Sequence, residues 1–286
     1  MARGDQGPTG AARRRVRISD AETERRMLDA ALEMIATRGM SVSLEHLSLE
    51  EVIGRAGVSR SSAYRRWPYK DLFFSDLLVE LARSTDLEDE GAEPLRQAQA
   101  LLVARVQELR ADTSRRDLII EMLRTAVQAD FEGIYLSPRW RTYIALNATF
   151  LGLPDGDLRR KVGAALAQTE QRFTTLRAQI AAEMTDVLGY RLVPPLTVPD
   201  GFELMASAVG SAITGLVIKA LASPQMVAER RLLRAFGSTR PAEWSVPAFV
   251  IVDVALSYIE PDPAVRWDQA RIQTVAAQLT QRLETS

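Results

Sequence analysis

Cysteine is absent from the 286 residues, which excludes disulfides, thiolate metal sites and a cysteine nucleophile. Histidine occurs once, at His46, and neither GxSxG nor HExxH is present, so the usual hydrolase and zinc-peptidase constellations are missing. The stretch Gly210 to Gly215 lacks the following Lys-Ser/Thr of a phosphate loop. The first ten residues, MARGDQGPTG, contain no apolar run, so no secretory signal is expected in them. The longest uncharged apolar stretch, Leu204 to Ile218, lies between Glu203 and Lys219, is short for a membrane span and suits a buried helix. These absences predict a cytoplasmic protein with no membrane partner, no metal and no cofactor, and not an enzyme. No internal repeat or low-complexity tract is present.

A strong charge of one sign is also lacking, since the formal net charge is −1. That balance hides a local excess. Residues 1–85 carry 14 basic and 12 acidic side chains, whereas residues 86–286 carry 22 and 25. Arg55, Arg60, Arg65, Arg66 and Lys70 fall in one stretch that contains no acid. It belongs to the segment Ser48 to Lys70, SLEEVIGRAGVSRSSAYRRWPYK.

Ser48 followed three residues later by Glu51 reads as a capping box, so a helix is expected from Leu49 to near Ala56. Gly57 suits the left-handed backbone of a sharp turn, and Val58 can plug the angle between two helices. Ser59 is the expected cap of a second helix, which Pro68 ends because the residue before proline resists the helical region. At 3.6 residues per turn, Ala63 and Trp67 share the inward side. Ser61, Ser62, Tyr64 and Arg65 then point outward, flanked by Arg60 and Arg66. Hydroxyls and tyrosine bond phosphates, arginine reads guanine, and a lysine at the next helix start, Lys70, meets a phosphate.

The cap at Ser48, the AGVS turn from Ala56 to Ser59, Tyr64 and the PxK from Pro68 to Lys70 resemble the TetR family of bacterial transcriptional regulators. The resemblance covers roughly residues 20 to 85. It implies an all-α protein with a helix-turn-helix DNA-binding domain and a larger helical domain for effector binding and dimerisation. The implied partners are double-stranded DNA with a palindromic operator, a small-molecule effector and a second copy of the chain. DNA contacts are implied at Ser48, Arg60, Ser61, Ser62, Tyr64, Arg65 or Arg66, and Lys70, with Ser59 and Tyr69 as further candidates; Arg66 and Tyr69 differ from the common family pattern. Ala63 stands where the family usually has a larger apolar residue and Trp67 where it has a smaller aromatic, so the two can compensate in volume. The alternatives are a helical protein-interaction module and an activator without a small-molecule ligand.

Upstream, Arg13, Arg14, Arg15 and Arg17 close an aperiodic segment, 1–19, that reads as a disordered basic arm, either lying in a minor groove or serving as a solubilising tail. Ser19 with Glu22 caps a supporting helix that buries Met27, Leu28, Ala31, Leu32 and Ile35 and closes at Gly39. An acidic junction, 86–91, separates a head at 20–85 from a body at 86–286. In the body, helices are expected near 94–111, 114–130, 138–152, 156–188, 200–222, 224–235, 246–259 and 268–284, without strands. The helix from Asp157 carries the clearest stripe: Val162, Leu166, Thr169, Phe173, Leu176, Ile180, Met184 and Val187. Three helices, those near 200–222, 246–259 and 268–284, are candidates for a subunit interface. Phe131, Tyr135, Trp140, Tyr143, Asn147, Phe150, Phe173 and Met205 are candidate effector-site residues, with core packing as the competing reading. Asp253 interrupts an apolar run, and either a ligand, a partner or an exposed helix edge accounts for it.

Overall fold

The computed structural model describes residues 18–38, 47–85 and 92–285. The arm arginines (Arg13, Arg14, Arg15 and Arg17), Gly39, His46 and the acidic junction lie outside these residues. Among the described residues the chain is helical apart from turns and four three-residue strands, as expected for an all-α protein with a helix-turn-helix head and a helical body.

The head consists of α1 (Asp20–Arg38), α2 (Leu49–Ala56), α3 (Arg60–Arg66) and α4 (Lys70–Ser84). The Ser19 hydroxyl accepts the Glu22 N–H at 3.1 Å and so caps α1. One side of α1 then buries Met27, Ala31, Met34 and Ile35. Gly57 turns the chain out of α2 at φ 63°, ψ 27°, a conformation that costs glycine little. Val58 is buried beneath that turn.

The body contains α5 (Ala92–Ala104), a 3₁₀ turn η1 (Val106–Arg110), α6 (Asp112–Leu136), α7 (Pro138–Gly152) and α8 (Asp157–Val187). These are followed by β1 (Tyr190–Leu192), α9 (Asp200–Ala222), α10 (Gln225–Ala228), β2 (Arg231–Leu233), β3 (Ala242–Trp244), α11 (Val246–Leu256), β4 (Ile259–Pro261) and α12 (Gln269–Thr285). Three of the expected body helices end early, and the body, expected without strands, contains four short ones. The single helix near 94–111 breaks at Arg105, whose side chain grips Glu108 at 2.7 Å as the chain tightens into η1. The helix expected over 224–235 stops at Ala228, and residues 231–233 pair instead with 242–244 as an antiparallel hairpin.

Tertiary contacts explain that hairpin. Trp244 is buried against Phe236 and Phe249, with ring centroids 5.3 and 5.8 Å apart. Asp117 of α6 accepts hydrogen bonds from the Ser238 hydroxyl at 2.8 Å and the Thr239 N–H at 2.7 Å. The second small sheet pairs β1 with β4, so the apolar run predicted to be helical to Ile259 turns into strand after Leu256.

One hydrophobic core runs through both parts of the chain. It joins Leu77, Leu78, Leu81 and Ala82 of α4 to Val162, Ala165, Leu166 and Phe173 of α8. Thr169 of α8 donates its hydroxyl to the Ala82 carbonyl at 3.0 Å within this contact. Meanwhile α12 buries Ile272, Val275 and Leu279 against α5 and η1, so that candidate interface helix uses its apolar side within the chain. By length and composition α9 could cross a membrane; here its inner side packs against α8, α6 and α11.

Candidate nucleic-acid interface and interior cavity

Helix α3 presents one side to the protein and the other to solvent. Ala63 is 2% exposed and Trp67, just past the helix end, is 1% exposed. Trp67 stands edge-on to Phe73 at 5.1 Å, and its Nε1 donates to Asp76 Oδ2 at 2.9 Å. Arg60, Ser61, Tyr64, Arg65 and Arg66 all lie on the exposed side. Ser59 caps the helix by accepting the Ser62 N–H at 3.1 Å. Its hydroxyl also lies 3.0 Å from that of Ser61 and 2.9 Å from that of Ser62, which is only half-exposed. At the start of α4, Tyr69 is exposed, no side chain caps the first turn, and the Lys70 ammonium sits 4.8 Å over the Phe74 ring.

Ser48 departs from the capping box. It holds the N-cap position with extended backbone, but its hydroxyl makes no capping bond. The residue is exposed, so leaving that bond unmade costs little.

The cations of α3 do not form a surface of one sign. Arg65 pairs with Asp20 of α1, and Arg66 pairs with Glu24 of α1 at 3.0 Å and Asp76 of α4 at 3.2 Å. Arg60 pairs with Glu50 of α2 at 2.8 Å. Glu50 also accepts the Tyr64 hydroxyl at 2.9 Å, and this bond, with the carboxylate's charge, raises the Tyr64 pKa. The stretch from Arg55 to Lys70 is acid-free in sequence, yet folding brings four carboxylates to it. Such exposed pairs stabilise a fold little, so their main effect is to orient the guanidinium groups.

In the body, a cavity of about 380 Å³ opens between α5, α6, α8, α9 and α11. Apolar side chains dominate its wall, among them Leu95, Met122, Leu123, Leu176, Ile180, Met184, Val209 and Ile251. Its main polar feature is the ion pair of Arg177 with Asp130, 2.9 Å apart and largely buried. The Arg177 guanidinium also lies 4.6 Å from the Phe173 ring centroid.

Of the eight candidate effector-site residues, Phe173 and Met205 line this cavity. The others do not. Phe131, Trp140 and Tyr143 are buried in the core shared with the head, with Tyr135 and Phe150 packed against it. Trp140 lies edge-on to Tyr143 at 5.7 Å and to Phe173 at 5.2 Å. Asn147 returns its amide to the Tyr143 carbonyl at 2.9 Å in its own helix. Burial and the bond to Glu170, 2.7 Å away, push the Tyr143 hydroxyl's pKa far up. Aromatic content alone could not separate packed rings from lining ones. The usable signal was the α8 stripe, where Leu176, Ile180 and Met184 are only partly buried because they face the cavity. Asp253 lies on the exposed edge of α11, which removes any need for a buried partner.

No protein-family profile matches the sequence, and no curated protein matches it. Among solved structures, the reduced form of NemR from E. coli aligns over 85% of this chain and 100% of its own, with 14% identity and a TM-score of 0.41. A Mesorhizobium loti protein provisionally assigned as a TetR-family transcriptional regulator aligns over 92% and 98%, with 14% identity and a TM-score of 0.40.

Proposed function

We propose that the chain is a sequence-specific DNA-binding transcriptional regulator of the TetR type, acting as a homodimeric repressor that a small apolar ligand releases from a palindromic operator. The observation that carries this reading is the two-sided α3. Ala63 and Trp67 anchor one side, while arginines, hydroxyls and Tyr64 are held outward on the other. Outward arginine and hydroxyl groups at helical spacing suit a major groove. The uncapped start of α4, with Tyr69 and Lys70, suits the adjoining phosphates.

A dimer is supported by the outer side of α9. Leu204, Ile218 and Leu221 are exposed there, and Ser207, Ser211 and Gly215 between them allow close backbone approach. A two-fold pairing would bring two α3 helices onto successive major grooves about 34 Å apart.

The cavity volume falls within the range of small-molecule sites, and its wall suits a largely apolar ligand with one polar group directed at the Arg177–Asp130 pair. Helix α8 provides the connection to the head. Phe173 lines the cavity, and Thr169, one turn earlier, bonds Ala82 of α4. A ligand that shifts α8 would therefore shift α4 and change the spacing of the two heads, which is a population shift between two dimer states.

The test is a fluorescence-anisotropy titration of the dimer against duplexes that the protein enriches from a randomised pool. A palindromic consensus, with affinity falling steeply as salt rises, is expected. Failure to enrich any duplex would eliminate the reading and favour a protein-interaction module.

A further inference from the structure

The sequence motif presents α3 as the reading element, but the structure places a carboxylate from the neighbouring helix directly on it. Glu50, in the first turn of α2, uses both oxygens. Oε2 takes Arg60 Nη2 at 2.8 Å, and Oε1 takes the Tyr64 hydroxyl at 2.9 Å. Arg60 and Tyr64 are one turn apart on the same side of α3, so Glu50 spans the outward surface between them. All three residues are exposed.

We propose that Glu50 is a specificity-determining positioning residue of the DNA interface, holding Arg60 and Tyr64 in place while repelling the phosphates that would otherwise recruit them. The inference rests on the DNA-binding reading and deepens it. Arg60 gives Glu50 one nitrogen and keeps its remaining donors for a guanine edge, where O6 and N7 accept together. To move onto a phosphate instead, Arg60 must leave a carboxylate that itself repels the backbone. Duplexes lacking the correct base edge therefore lose twice, once in the broken pair and once in the repulsion, which is how a repulsive element sharpens discrimination. Tyr64 is subject to the same choice, since its hydroxyl already has an acceptor.

The test compares the wild type with Glu50→Gln and Glu50→Asp on two probes, the duplex enriched by the wild type and a scrambled duplex of equal length. Glu50→Gln removes the charge. It should tighten binding to the scrambled duplex several-fold, with a salt slope steeper by about one as Arg60 gains a phosphate. The ratio of the two affinities should fall roughly ten-fold, the loss of one oriented base contact. Glu50→Asp keeps the charge but is too short to span both partners. It should lower the ratio while leaving scrambled-duplex binding near that of the wild type. Melting temperatures should remain close to wild type, because the contacts are at the surface.

The proposal is overturned if Glu50→Gln changes both affinities by the same factor, or if Glu50→Asp retains the wild-type ratio. If the wild type enriches no duplex, the DNA reading itself fails, and that outcome is distinguishable from either result with the variants.

Discussion

The inward side of α3 can be tested by exchanging its two anchors. Trp67→Phe keeps a ring against Phe73 but deletes the pyrrole half of the indole and its bond to Asp76. The lost apolar contact is worth about 1–2 kcal/mol. A hydrogen bond to a charged acceptor contributes about 1.5–3 kcal/mol, and the low end applies because the Asp76 side chain is 41% exposed. Trp67→Phe should therefore cost about 3 kcal/mol. Ala63→Leu alone forces extra carbons into a packed site and should cost about 1–3 kcal/mol. The two residues are i and i+4 on one helix side, so the added leucine can occupy the volume that the indole vacates. The double variant should then lose about 2 kcal/mol rather than the additive ~5, a coupling within the range for residues in contact. Its residual deficit is the Asp76 bond, which leucine cannot replace. Urea unfolding followed by far-ultraviolet circular dichroism measures all four corners of the cycle. Strict additivity would show that Ala63 and Trp67 do not share a packing site and would refute the inward placement of α3.

Three further expectations concern binding and stability. Arg60→Ala should erase preference at one base pair, about 1–3 kcal/mol, whereas Lys70→Ala should weaken all duplexes alike and reduce the salt slope by about one; interchanged outcomes would reassign the two contacts. Ala181→Leu places three carbons in the body cavity and should stabilise the fold by up to about 2 kcal/mol while abolishing uptake of the amphiphilic anionic dye 1-anilinonaphthalene-8-sulfonate; unchanged uptake would show that the dye binds elsewhere. Burial raises the Asp117 pKa, but hydrogen bonds from Thr239 and Ser238 and the charge of Arg240 outweigh it, so the carboxylate titrates below its ordinary value. With the folded value below an unfolded one of about 3.9, its stabilisation is complete above about pH 4 and is lost as pH falls through the folded value. Asp117→Asn should cost about 1–3 kcal/mol at neutral pH and flatten the acid limb of the stability profile; an acid limb like that of the wild type would show that other carboxylates dominate it.

Local structure follows from near neighbours along the chain. The Ser19 and Ser59 caps, the Gly57 turn, the inward pair Ala63 and Trp67, and the long periodic α8 were legible because each depends on residues within a turn or two of one another. The remainder depends on contacts between distant segments. The carboxylates that pair with α3 come from as far as 45 residues away for Asp20 and 42 for Glu24, so no window around the basic stretch contains them. The segment 231–233 has a composition that permits a helix, and burial of Trp244 with the Asp117 anchor turns it to strand. Aromatic residues packed in the core have the same composition as those lining the cavity, and only the spacing of α5, α6, α8, α9 and α11 separates them. Local propensity and periodicity are written along the chain. Charge neutralisation and empty volume arise only where distant segments meet, because both depend on distances that folding creates.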